Sequence, residues 1–176
     1  ARIRGLLRNE GETLDAASLP GLAEAAPGYI HDPRPSAVFV GNQPATALGW
    51  RHALRDRVGF CISVSEPERA LADAVAGHAP DLYLIAADIQ QSGDGLRLLS
   101  ELRSRPWSRE AGFVIALRPE RADMTAVALD LGAGDVLSWD LSAPHAAPET
   151  AIRLDAQMAR KHEADRRRHE TRHNIR

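Results

Sequence analysis

The sequence predicts an α/β domain: a five-stranded parallel sheet, doubly wound, with helices on both faces and an extended C-terminal helix. Three observations predict it. Hydrophobic residues make up 44% and charged residues 26% of the 176 positions, a globular composition. Five short apolar runs alternate with five helical segments within about 120 residues, which implies a parallel sheet buried on both sides. The right-handed crossover rule then makes the doubly wound sandwich the natural topology.

The elements follow in order. Ala37-Val38-Phe39-Val40, closed by Gly41-Asn42, reads as a buried strand. Pro44 opens a helix with Ala47, Trp50, Leu54 and Val58 on one face. Phe60 to Val64 is the second strand. Ser65-Glu66-Pro67-Glu68 has the pattern of a capping box, and the helix it starts stops at Gly77. Leu82 to Ala86 is the third and most apolar strand. Asp94-Gly95 leads into a helix with Leu96, Leu99 and Leu102 inward. Phe113 to Leu117 is the fourth strand, Ala122 to Leu131 a helix stopped by Gly132, and Asp135 to Trp139 the fifth strand. A last helix begins between Ser142 and Glu149 and runs toward the C-terminus. In such sheets ligands bind at the carboxyl ends of the strands, near the switch in strand order, so function is sought just after Val40, Ala86, Leu117 and Trp139.

Composition excludes several classes. The formal net charge of -2 carries no overall basic field for nucleic acid. One cysteine, Cys61, rules out an internal disulfide framework and a four-thiolate zinc site. No apolar run approaches the roughly 20 residues of a membrane span. Ala1-Arg2-Ile3-Arg4 is no signal peptide, so a cytoplasmic protein is expected. The absence of an initiator Met and the end in a charged run at Arg176 read as an excised fragment. Residues 151–176 hold eight basic and four acidic groups, a basic tail on an acidic globule. Of 22 basic residues only Lys161 is a lysine.

Residues Pro35 to about Gln157 resemble a response-regulator receiver domain. The resemblance rests on PDLYLIAADIQQSGDGLRLLSELR at Pro80 to Arg103, FVIALRPE from Phe113 and ALDLGAGDVLSWDL from Ala128, with about one extra residue between Ala86 and Asp94. It implies a flavodoxin-like sheet of strand order 2-1-3-4-5 over residues 36–157. The opening ARIRGLLR resembles the end of the last helix of a preceding receiver (residues 1–10). The tail at 158–176 resembles the start of a connecting helix to an output domain. Tandem receivers, the second degenerate, followed by a charged helix resemble the PleD class of diguanylate cyclase response regulators, whose output is a GGDEF domain. Residues 11–35, rich in Pro and Gly, are expected to be a linker with at most a short helix near Leu22.

A working receiver phosphorylates an Asp with a Mg²⁺ ion held by carboxylates, because a hard cation takes oxygen ligands and offsets the charge of the transferring group. The resemblance puts Gly41 and Asn42 where an acidic pair is usual. It puts Ala86 (or Ala87) at the acceptor position, Arg118 at the phosphate-sensing hydroxyl and Trp139 at the lysine, followed by Asp140 where Pro is usual. The lysine is missing whatever the register, since Lys161 lies in the terminal helix. Asp88 is left as a shifted acceptor or a solvated loop residue. Arg118 is expected either to pair with Asp88, standing where the cation would sit, or to point into solvent. Trp139 is expected to cover the pocket or to form an interface.

Other signals are weak. His169 and His173 are one turn apart but lack a third ligand, so no metal site is expected. Arg166-Arg167-Arg168 is interleaved with Glu163, Asp165 and Glu170, which suits a solvated helix better than nucleic acid or membrane. No phosphate-binding glycine loop, serine triad or catalytic carboxylate pair appears, so no enzymatic activity is expected of this chain.

The expected function is therefore a non-catalytic receiver-like adaptor in two-component signalling, downstream of a histidine kinase. The resemblance implies packing against the preceding receiver, homodimerisation and control of cyclic di-GMP synthesis, with Mg²⁺ and GTP belonging only to the output domain. The dimer face implied is about 122–157, with Met124, Ala128, Leu141 and Ile152 as apolar candidates. The alternative is an atypical receiver that accepts phosphate or binds an anion at Asp88 and Arg118. The last eighteen residues hold only Ala159, Ala164 and Ile175 as apolar members, so the helix end is expected to fray in isolation.

Overall fold

The computed structural model describes residues 34–175. The expectations for residues 1–10 and for the linker fall outside the described residues, Arg34 and Pro35 apart. The chain runs β1 (Ser36–Val40), α1 (Pro44–Leu54), β2 (Cys61–Ser65), α2 (Pro67–Val75) and β3 (Leu82–Ala86). It continues through α3 (Asp94–Ser104), β4 (Gly112–Leu117), a 3-10 turn (Pro119–Met124), α4 (Thr125–Asp130), β5 (Asp135–Ser138) and α5 (Ala146–Asn174). All strands are parallel, in the order β2-β1-β3-β4-β5, as expected.

The pleat sorts the strand side chains into two cores. Tyr83, Ile85, Phe113 and Ile115 face α3 and α4, where Leu96, Leu99, Leu102 and Ala128 meet them. Leu82, Leu84, Val114 and Leu137 face α1 and α5, where Trp50, Leu54, Leu154 and Met158 meet them. Every residue of β3 is buried, which is why Leu-Tyr-Leu-Ile-Ala is an unbroken apolar run.

Three local expectations change. The capping box does not form: Pro67 takes the first helical position, so Glu66 is the N-cap. Ser65 remains the last residue of β2, and its hydroxyl donates to the Glu66 carbonyl at 3.1 Å. The helix expected from Ala122 to Leu131 is split, because Pro119 opens a 3-10 turn directly after β4 and regular α geometry begins only at Thr125. Helix α1 ends at Leu54, and Val58 reaches the core through a turn instead. The stops at Gly77 and Gly132 stand, with φ of 84° and 103°, angles that strain any residue with a Cβ.

Helix α5 is continuous over 29 residues. Its first half docks through Ala151, Leu154, Gln157 and Met158. Arg153 grips Asp135 on β5, with Nε donating to Oδ2 at 2.9 Å, and a second nitrogen reaches the Val136 carbonyl. The hydrogen bond to Asp135 holds the guanidinium above its ordinary value against the effect of burial. Beyond Met158 none of the described residues is buried, and one-turn pairs such as Lys161–Asp165 and Glu163–Arg167 line the surface, with Arg168 3.5 Å from Glu110. Such pairs stabilise a helix by only a few tenths of a kcal/mol each. Amide hydrogen exchange should therefore show protection up to about Met158 and a steep fall beyond it; strong protection out to Thr171 in a monomer would contradict this.

One contact sets the approach of α3 to the sheet. A Cβ on Gly95 would lie 1.8 Å from the Ala86 carbonyl oxygen and 2.8 Å from that of Ala87. These are backbone atoms of the strand end and cannot swing away. Gly95→Ala should destabilise the domain by at least about 3 kcal/mol in urea unfolding.

Candidate functional site

The carboxyl end of the sheet is where β1, β3, β4 and β5 deliver the residues singled out above. Gly41 follows β1, is buried, and its N–H donates to the Ser65 carbonyl at 3.2 Å. A Cβ there would come within 3.1 Å of the Phe39 ring. Asn42 is half-buried, with its Oδ1 buried and without a hydrogen-bond donor. Ala86 is the last residue of β3, buried and paired with Ala116. Ala87 is also buried, its N–H donating to the Ala116 carbonyl at 3.0 Å.

Asp88 is not a free loop carboxylate. Its Oδ1 accepts the Gly93 N–H at 2.7 Å, and Nη1 of Arg121 donates to its two oxygens at 3.2 and 3.1 Å. The same Nη1 reaches the Ser92 hydroxyl at 2.8 Å. The guanidinium expected on Asp88 is thus present, but it comes from Arg121 and not from Arg118. The reason is the 3-10 turn: the Arg121 N–H bonds back to the Arg118 carbonyl, folding the chain so that Arg121 returns over the β3–α3 loop. Arg118 turns the other way, its guanidinium carbon 5.7 Å from the centre of the Trp139 ring.

Trp139 follows β5 and is half-buried. Its N–H donates to the Leu117 carbonyl at 2.7 Å, and its own carbonyl accepts the Trp50 Nε1–H at 2.9 Å. Its ring lies 5.9 Å from that of Phe39, which in turn is 5.4 Å from Trp50. Where the resemblance implies a lysine, this chain has an aromatic residue packed on Phe39.

A second carboxylate organises the loop. Asp94 accepts three backbone N–H groups, from Ile89 at 2.6 Å, Gln90 at 2.8 Å and Gln91 at 2.9 Å. Partial burial pushes its carboxyl up, but these hydrogen bonds outweigh that and hold it below the ordinary 3.8. A carboxyl lowered on folding stabilises the fold above its unfolded value and ceases to do so as pH falls through the folded one.

The site does not fit the divalent cation of a working receiver. Gly41, Asn42 and Ala86 offer no carboxylate, and the Asp88 oxygens are already engaged by Arg121 and Gly93. Among the described residues there is no group of three or more His, Cys, Asp or Glu side chains that could hold a metal. Lys161 lies on the second half of α5, paired with Asp165.

The proposed dimer face needs one correction. Ala128 is fully buried in the core under α4, so it offers nothing to a partner. Met124 and Leu141 are half-buried against the core, and Ile152 is 71% exposed. The exposed apolar residues of α4 are Val127 and Leu129, with Leu131 just beyond it.

Comparisons agree on the fold. Sequence comparison finds no matching family model and no matching curated protein. Solved structures do match. The receiver domain of NtrX from Brucella abortus superposes with a TM-score of 0.58 at 22% identity, covering 70% of this chain and 98% of that one. The signal receiver domain of an HD domain-containing protein from Pseudomonas fluorescens Pf-5 gives 0.61 at 20% identity, covering 76% and 93%. That of a signal transduction histidine kinase from Syntrophus aciditrophicus gives 0.57 at 17%, covering 71% and 90%. The chain thus has the receiver fold, with the Asp88–Arg121 ion pair at the end of β3 and Trp139, after β5, packed on Phe39. No helix among the described residues is long and apolar enough to cross a membrane.

Asp94→Ala should cost about 2 kcal/mol or more, since it orphans three N–H groups at once. In the parent protein the Asp94 contribution should be fully present above about pH 4 and vanish as the pH drops below that; urea titrations of both proteins across this range should converge at low pH.

Proposed function

We propose that this domain is a non-catalytic receiver-type adaptor in a two-component response regulator, signalling by contact with neighbouring modules. One observation carries the reading: alanine stands at the end of β3, and the nearest carboxylate, Asp88, is tied to Arg121 and Gly93. A phosphoryl group there would bring a charge of about -2 with no bound cation to offset it and would have to displace the guanidinium.

The finer reading follows the sequence resemblance. The domain sits second in a PleD-like chain, packs against a phosphorylatable receiver, and passes the resulting dimerisation along α5 to a diguanylate cyclase output. Support comes from the likeness to receiver structures, from the PDLYLIAADIQQSGDGLRLLSELR block, and from α5 extending well past its last buried residue. The surface best suited to self-association is the exposed apolar set of Val127 and Ile152.

Acetyl phosphate, or beryllofluoride with Mg²⁺, separates the adaptor from an atypical receiver that accepts phosphate or an anion at Asp88. The adaptor predicts no mass gain and no magnesium-dependent change in tryptophan fluorescence; modification of Asp88 would overturn it. Within the proposed two-receiver chain, Ile152→Asp should weaken phosphorylation-driven dimerisation about tenfold in sedimentation measurements and leave phosphorylation of the first receiver unchanged.

A further inference from the structure

The sheet face beneath α2 differs from the rest of the core. Ile62 and Val64 of β2 pack toward α1 and α5, so the alternation turns Ser63 and Ser65 toward α2. Helix α2 brings only Ala70 and Ala74 as buried residues. Between them lies a cavity of about 240 Å³ whose lining includes Ser63, Ser65, Arg69, Asp73, His78 and Tyr83.

Tyr83 is the unusual member. It is 1% exposed, and its ring stacks on Phe113 at 5.4 Å. Its hydroxyl is buried without a hydrogen-bond partner. Buried hydroxyls are normally paired, and phenylalanine would fill the same space with no polar atom to satisfy. Burial, and then the charge of Asp73, push the hydroxyl up to about 12, so it stays protonated at neutral pH and can donate. One turn apart on the cavity wall, Arg69 and Asp73 are paired at 2.9 Å, largely in solvent, where such a pair is easily exchanged for other partners.

A guanidinium, a carboxylate and a protonated hydroxyl around one small cavity complement a molecule that carries both charges. Arg69 can take a carboxylate in bidentate fashion, Asp73 an ammonium, and Tyr83 can add a donor to the ligand carboxylate. The cavity volume is of the order of a free amino acid. We propose that the cavity between α2 and β2 binds a small zwitterion of amino-acid type, with Arg69, Asp73 and Tyr83 as its polar contacts. Reaching the hydroxyl needs α2 to move outward, against the packing of Ala70, Ala74 and the half-buried Leu71. The proposal does not rest on the adaptor reading, since it concerns the opposite side of β1 from the strand-end pocket's aromatic cluster and uses none of its residues.

The test titrates the full chain with the proteinogenic amino acids, read by thermal shift and by ¹³C NMR of Cζ-labelled tyrosine, with Tyr83→Phe assigning the resonance. At least one amino acid should raise Tm and move the Tyr83 signal, and its N-acetylated and amidated forms should do neither. Tyr83→Phe and Arg69→Gln should each weaken that binding about tenfold without unfolding the protein. No binding up to roughly 10 mM, an unmoved Tyr83 signal, or affinity unchanged in both variants would overturn the proposal.

Discussion

The carboxyl end of this sheet is organised around the neutralisation of one carboxylate. Asp88 leaves β3 at the point where four parallel strands end together, with its side chain only a quarter exposed. A half-buried carboxylate there needs a cation or several hydrogen bonds. It has Arg121, Ser92 beside it, and the Gly93 N–H. Because Arg121 belongs to the 3-10 turn after β4, the pair ties the β3–α3 loop to the start of α4 across the pocket. The energy of such a pair is modest, on the order of 1 kcal/mol, but its position decides the chemistry. The charge of Asp88 is thus balanced from within the protein, by Arg121 and the Gly93 N–H.

The remaining elements at that end are held by their own contacts. Trp139 is held at both its N–H and its carbonyl and packs on Phe39, so it cannot easily leave. Asp94 gathers three loop N–H groups and fixes the conformation that presents Gly93 to Asp88. Gly95 then lets α3 approach the strand end to backbone contact. Helix α5 leaves the same layer of the fold. It is anchored by the Arg153–Asp135 pair and runs about 44 Å in all, its second half free of buried contacts.

How much of this the sequence revealed depended on the range of the interactions. The five strands were legible within a residue or so, because each is a short apolar run whose burial is a property of the run itself. Helix stops at Gly77 and Gly132 were legible for the same local reason. The lack of a lysine in residues 36–157 was legible because absence of a residue type needs no geometry, whereas Gly41 and Asn42 stand for an acidic pair only through the resemblance. Arg121 was not. It sits among charged and turn-forming residues, Pro119 to Asp123, and nothing in that stretch distinguishes Arg121 from Arg118 as the partner of Asp88. Ala128 was misjudged because helical phase, reset by the 3-10 turn, decides which side of α4 faces the core. Tyr83 read as one more apolar strand residue; only the packing of α2 leaves its hydroxyl unpaired.

Local composition and periodicity therefore determined the layered parallel fold and the lack of any lysine in residues 36–157, since both follow from which side chains occur and where. Tertiary structure alone decided which arginine meets Asp88, that Trp139 packs on Phe39, and that a polar cavity opens beneath α2. Those outcomes depend on side chains distant in sequence reaching a common point, and the strand ends and the helix phase that set that point are fixed only when the sheet is assembled.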